Sequence, residues 1–184
     1  MSERIAVSKN FFLDEFVDPM TYFKSTDKGL SKVNPKAFVI AQLFRELVGK
    51  SCFINNWWPY YQEHKNTLSI DKIVEDITKG AYSDWCGLRT DRCTQGAPAS
   101  AHRILKGKTH NDGGTDLHVS GMSGAQMYAI VTANAKAFHG LGLRRLEHPK
   151  DTPGWLHFDV REHEKSADSI KVITPKTVFG FIKV

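Results

Sequence analysis

The chain is poor in features that fix a fold covalently or place it in a membrane. It has only three cysteines among 184 residues, Cys52, Cys86 and Cys93, an odd number that cannot all pair. The Cys86–Cys93 spacing is not that of a zinc ribbon. Reduced, buried or half-buried thiols are the expectation. No apolar run approaches the roughly 20 residues of a membrane-spanning helix, so no membrane partner is expected. Met1-Ser2-Glu3-Arg4 lacks the apolar core of a secretion signal, which predicts synthesis in the cytoplasm without a signal peptide. There is no internal repeat, no low-complexity tract and no long run of like charge. Lys and Arg outnumber Asp and Glu by 25 to 20. That excess admits an anionic partner such as nucleic acid or the carboxylate-rich bacterial wall, but the lysines are scattered as on an ordinary solvated surface. No nucleic-acid-binding motif is present, which sets that partner aside.

What is present reads as one α+β domain over residues 1–184. Hydrophobic residues make up 41% of the chain, enough for a core. Residues 1–32 read as an irregular lead-in around Phe11, Phe12, Leu13 and Phe16. Asn34-Pro35 opens a helix that carries Phe38, Val39, Leu43, Phe44 and Leu47 at helical spacing and stops at Gly49. Ser51 to Asn56 reads as a strand, followed by an aromatic loop with Trp57, Trp58, Tyr60 and Tyr61. That loop suits either core packing or stacking on a ring-bearing ligand. Ser69 caps a second helix that ends at Gly80. Thr115 to Val119 is a short strand. Ser123 and Gln126 form a capping box for a third helix reaching about Phe138. Leu141–Leu146 and Trp155–Val160 read as strands, and residues 163–184 as an extension forming a hairpin around Pro175-Lys176. The expected architecture is a small antiparallel sheet packed with about three helices, carrying a metal on its face.

Three separated segments hold the chemistry. They are Ser100-Ala101-His102, Gly113-Gly114-Thr115-Asp116 and Trp155-Leu156-His157-Phe158-Asp159. Two imidazoles and one carboxylate are the minimum set for a catalytic zinc with an open fourth position. Asp116 lies in an apolar strand, where a carboxylate needs a partner or a cation. His157 shares its strand face with Trp155 and Asp159 by the two-residue period. His110, six residues before Asp116, competes with His102 as the first ligand.

Ser-x-His, Gly-x-x-Asp and Trp-x-His-x-Asp-Val-Arg, in that order, resemble the zinc D-alanyl-D-alanine carboxypeptidase and L-alanyl-D-glutamate endopeptidase family. The likeness is to its small phage and prophage members. Further matching segments are Ser8–Phe16, Phe53–Trp57, Gly87-Leu88-Arg89, Gly96-Ala97-Pro98, Gly140-Leu141-Gly142 and Arg145-Leu146-Glu147, so that the resemblance spans residues 8–162. It implies zinc held by His102, Asp116 and His157, with Ser100 beside the metal or one of its ligands. It also implies that Arg89 clamps a peptide carboxylate with its two-pronged guanidinium. Arg89 bracing its own loop through Asp84 or Asp91 is the alternative.

The chain departs from the family pattern twice. Residues 103–112 are an apparent insertion, with Lys106, Lys108 and His110 expected to overhang the cleft. Gly154 also stands where many relatives carry an acid, three residues before the last histidine. Glu147 is therefore the first candidate for the general base, ahead of Asp151 and Asp159, and Asp159 more naturally orients His157. The expected activity is zinc-dependent hydrolysis of peptidoglycan stem peptides by a phage lysin or a virion-associated enzyme acting on the bacterial wall. Peptidoglycan peptides and other virion proteins are the expected partners. The rival reading is a non-catalytic virion or wall-binding protein on the same scaffold.

Overall fold

A computed structural model of the chain describes residues 4–55, 57–79, 88, 100–174 and 177–184. Among these, six α-helices accompany a six-stranded mixed sheet. The α+β class is as expected, but the sheet is larger than expected and not wholly antiparallel. The helices are α1 (Pro19–Lys24), α2 (Lys36–Val48), α3 (Trp58–His64), α4 (Ile70–Lys79), α5 (Gly124–Ala133) and α6 (Ala135–Gly140). The strands are β1 (Cys52–Phe53), β2 (Thr115–Val119), β3 (Arg145–Glu147), β4 (Leu156–Asp159), β5 (Ser169–Ile173) and β6 (Val178–Lys183), in the order β1-β2-β4-β3-β5-β6. All neighbours run antiparallel except β3 and β5, which are parallel. The C-terminal hairpin is therefore joined edge-on to the sheet that carries the candidate site.

Several differences from the sequence reading have local causes. The lead-in contains α1, opened by the Asp18 side chain, which accepts the Thr21 N–H, with Pro19 at the first helical position. The strand expected over 51–56 shrinks to two residues because Asn55 turns inward. Its backbone N–H donates to the Glu15 carbonyl and its side chain to that of Val17. The aromatic loop is mostly helix α3, and Trp57, Trp58 and Tyr61 are buried, so these three rings belong to the core. The helix from Ser123 breaks at Asn134, whose side chain donates to the Ile130 carbonyl and competes with helix continuation. The strand expected from Leu141 begins only at Arg145, since Gly142 at φ +100° makes a turn out of α6.

Alternation along the strands sorts the sheet into two faces. Leu117, Val119, Leu146, Leu156, Phe158, Ile170 and Val172 point one way and are at most 4% exposed. α5 lies against β4, α6 against β5, and α2 packs on α5, closing a core that includes Phe44, Met127, Val131 and Phe138. The residues between them point the other way, where no comparable helix layer is found among the described residues. Asp116, His118, His157, Asp159, Arg145, Glu147, Lys171 and Ile173 share this open face. Cys52, paired opposite Val119, is buried, and burial pushes its thiol up to about 11. Cys86 and Cys93 lie outside the described residues.

Candidate metal centre

The pairing register sets out the open face in rows. Asp116 of β2 stands directly opposite His157 of β4. Arg145 pairs with Asp159 and Leu146 with Phe158, so the next step places Glu147 beside His157 on β4's other flank. Glu147 in turn pairs with Ile173 of β5. One row across the sheet thus reads Asp116, His157, Glu147, Ile173. The row on one side is aromatic: Phe53 stacks on His118 at 5.1 Å between ring centroids, and His118 lies 6.3 Å from Trp155. The row on the other side is ionic, with Asp159, Arg145 and Lys171 in register.

His102 reaches this surface from a loop. The Ala101 carbonyl accepts the N–H groups of both Asp112 and Gly114, pinching residues 103–111 out as a closed excursion. Gly114 permits that approach: a β-carbon there would lie 2.6 Å from the Ala101 and His102 backbone. Asn111 anchors the excursion, accepting the backbone N–H of Asn34 on its side-chain oxygen. The insertion therefore leaves His102 beside Asp116 despite the long separation in sequence. It does not overhang the cleft as expected. Leu105, Lys108 and His110 instead line a neighbouring cavity of about 650 Å³, beyond Arg145 and Arg161. His110 Nδ1 lies 2.9 Å from the Asn111 carbonyl oxygen of its own loop and is not a member of the cluster.

His102, Asp116 and His157 converge as a buried group able to hold a metal ion. His102 Nε2 lies 3.3 Å from His157 Nδ1 and 3.5 Å from Asp116 Oδ2. Ligand atoms about 2.1 Å from a tetrahedral ion stand about 3.4 Å apart, so both of these separations already have the required length. The other carboxylate oxygen, Asp116 Oδ1, lies 2.5 Å from His157 Nδ1 in a hydrogen bond that a cation would replace. The donor set of two nitrogens and one oxygen suits zinc. Burial opposes charge on Asp116, but the two imidazoles outweigh it and hold the carboxyl well below the usual range. Burial likewise opposes charge on His157, and Asp116 outweighs it, raising the imidazole.

The group forms part of the wall of an open cleft of about 560 Å³, shared with Ser100, Glu147, Trp155, Arg145, Arg161 and Lys171. Ser100 lines it, and its Oγ lies 3.4 Å from the His102 backbone nitrogen. Glu147 is half-buried, and its carboxylate makes no hydrogen bond among the described residues. Burial raises its pKa, with His157 pulling the other way and Asp116 adding to the rise. Asp151 does not line the cleft. Asp159 is fully buried, and its oxygens accept the backbone N–H and guanidinium of Arg161, at 2.9 and 2.6 Å. No hydrogen bond from Asp159 to His157 exists among the described residues, so its direct work is to hold Arg161. Arg89 lies outside the described residues.

Three cleft cations, Arg145, Arg161 and Lys171, have no role assigned by motif or spacing in the sequence. The two-residue period from Glu147 and His157 carried the signal for the first arginine. Lys171 needed the β3–β5 register. Comparison of the chain with protein-family models, with curated proteins and with solved structures gave no match.

Proposed function

We propose that the chain is a zinc-dependent peptidase that hydrolyses amide bonds of peptidoglycan stem peptides, as a phage lysin or a virion-associated wall hydrolase. The observation that carries this reading is the convergence of His102 Nε2, Asp116 and His157 Nδ1 in the wall of an open cleft with a half-buried carboxylate in the same row. When bound, zinc supplies a polarised substrate carbonyl and a water made acidic enough to lose a proton near neutral pH. The Glu147 carboxylate, in the same row of the cleft, would accept a proton from the attacking water and pass it to the leaving amine. Its raised pKa, owed first to burial, brings it nearer the operating pH than an exposed glutamate. Arg145 and Arg161 supply positive charge on the cleft wall. Arg161 is fixed by buried Asp159, and Arg145 donates to the carbonyls of Arg161 and Glu162, so neither must reorganise when negative charge arrives.

Purified muropeptides incubated with the zinc-loaded protein should yield shortened stems by mass spectrometry, and a chelator should stop the cleavage. Intact muropeptides despite stoichiometric zinc would support the second reading, a non-catalytic wall-binding or virion protein. Gly154, in place of the acid the resemblance leads one to expect, is the observation that favours that reading.

A further inference from the structure

We infer that the ionic row beside the metal group is a subsite for a non-terminal carboxylate of an acidic peptide, read by Lys171 and Arg145. This rests on the peptidase reading above and assigns that site its substrate class. Arg145 and Lys171 stand directly opposite one another in the β3–β5 register, and both line the cleft. Arg161 lies beside them, with Asp159 beneath as the fully buried counter-charge. Three cations face one buried anion, Asp159, and one exposed anion, Glu164, which leaves the row net positive. The row on the other side of the metal group is aromatic and offers an anion nothing comparable. A bound peptide is therefore oriented, with its acid toward Lys171.

Distance selects which acid. Lys171 sits on the second strand from β4, about 10 Å away at ordinary strand spacing, and one row along. One row along adds about 6.6 Å, for roughly 12 Å in all, and an extended peptide rises about 3.3 Å per residue, so the carboxylate sits roughly three to four residues from the amide at the metal. A terminal carboxylate next to the scissile bond lies too near to use this row. Lys171 Nζ is 3.1 Å from the Glu164 carboxylate, which is 58% exposed. An exposed partner of that kind is weakly held and readily displaced by a substrate carboxylate.

The test is calorimetric binding of two stem pentapeptides. One has a free α-carboxylate on its γ-linked glutamate; the other has a carboxamide there; both keep the terminal carboxylate. The zinc-loaded protein should bind the acid about tenfold more tightly. Lys171→Gln should bring the two affinities to near parity. Glu164→Gln removes the internal competitor and should raise the preference about two- to threefold, which keeps the test open if Lys171→Gln folds poorly. Equal binding of both peptides by the unaltered protein, or binding of neither, overturns the subsite, as does a preference that Glu164→Gln leaves unchanged or lowers. Hydrolysis is followed in parallel. Cleavage without preference sinks the subsite and spares the peptidase; preference without cleavage does the reverse.

Discussion

The two faces of the one sheet are built from alternate residues of the same strands, and they obey opposite rules. Leu117, Leu156 and Phe158 are buried without a polar atom to satisfy. Their immediate neighbours Asp116, His157 and Asp159 are also at most 8% exposed, yet each is ionisable. The first face gains from removing apolar surface from water. The second carries the cost of desolvating charge, offset by pairing: Asp116 with two histidines, Asp159 with Arg161. A protein selected for stability alone gains little from that second face. The difference teaches that neighbouring positions in β4 should separate folding from function.

The largest separation is expected between His157→Ala and Phe158→Ala. His157→Ala should lose bound metal and all measurable hydrolysis while the metal-free protein remains folded. Phe158→Ala should cost about 3–5 kcal/mol of stability by leaving a cavity. Elemental analysis and thermal unfolding of the two variants check this. Equal stability losses would mean that the open face is structural. Next is Glu147→Gln, which should keep the metal and lower kcat by about 10²–10⁴-fold, the usual contribution of a general base. Full activity would move that role elsewhere.

These contrasts also mark what the sequence made legible. Thr115–Val119 and the segment around His157 declare their alternation within a few residues, so both faces and the placement of Asp116 and His157 were readable, whereas His102, in a loop, rested on its Ser-x-His flank with His110 as the competitor. Local punctuation served equally well at Asn34-Pro35, Gly49 and the Ser123–Gln126 box. Asp18-Pro19 carries the same signal at the start of α1, and Pro59 at the start of α3. What stayed hidden was non-local. The parallel pairing of β3 with β5 joins residues some 26 positions apart in sequence (Arg145 with Lys171), and no local pattern encodes it. The path of residues 103–111 depends on the Ala101 carbonyl meeting Asp112 and Gly114, which spacing alone does not reveal.

A smaller effect sharpens the comparison through pH. Without metal, His157 is raised by Asp116, so its stabilising charge is fully present below about pH 6.5 and is lost as pH climbs through the raised value. Metal requires the neutral imidazole and competes with that proton. The rise in Tm on adding zinc should therefore grow from pH 5.5 to 8. In His157→Ala it should vanish at every pH. A zinc-induced rise that shrinks over this range would place the ion elsewhere.

The smallest effect is at the seam between loop and sheet. Gly114→Ala should cost about 1–3 kcal/mol through the close Ala101–His102 backbone. It should also weaken metal binding by shifting His102. Loss of stability with unchanged metal affinity would show that the loop adapts without moving its histidine.

The most direct measurement is the zinc stoichiometry, by native mass spectrometry, of the unaltered protein, His102→Ala and His110→Ala. The account predicts one zinc per chain in the unaltered protein and in His110→Ala, and none retained in His102→Ala. Stoichiometric zinc in His102→Ala together with its loss in His110→Ala would contradict the three-residue centre on the open face.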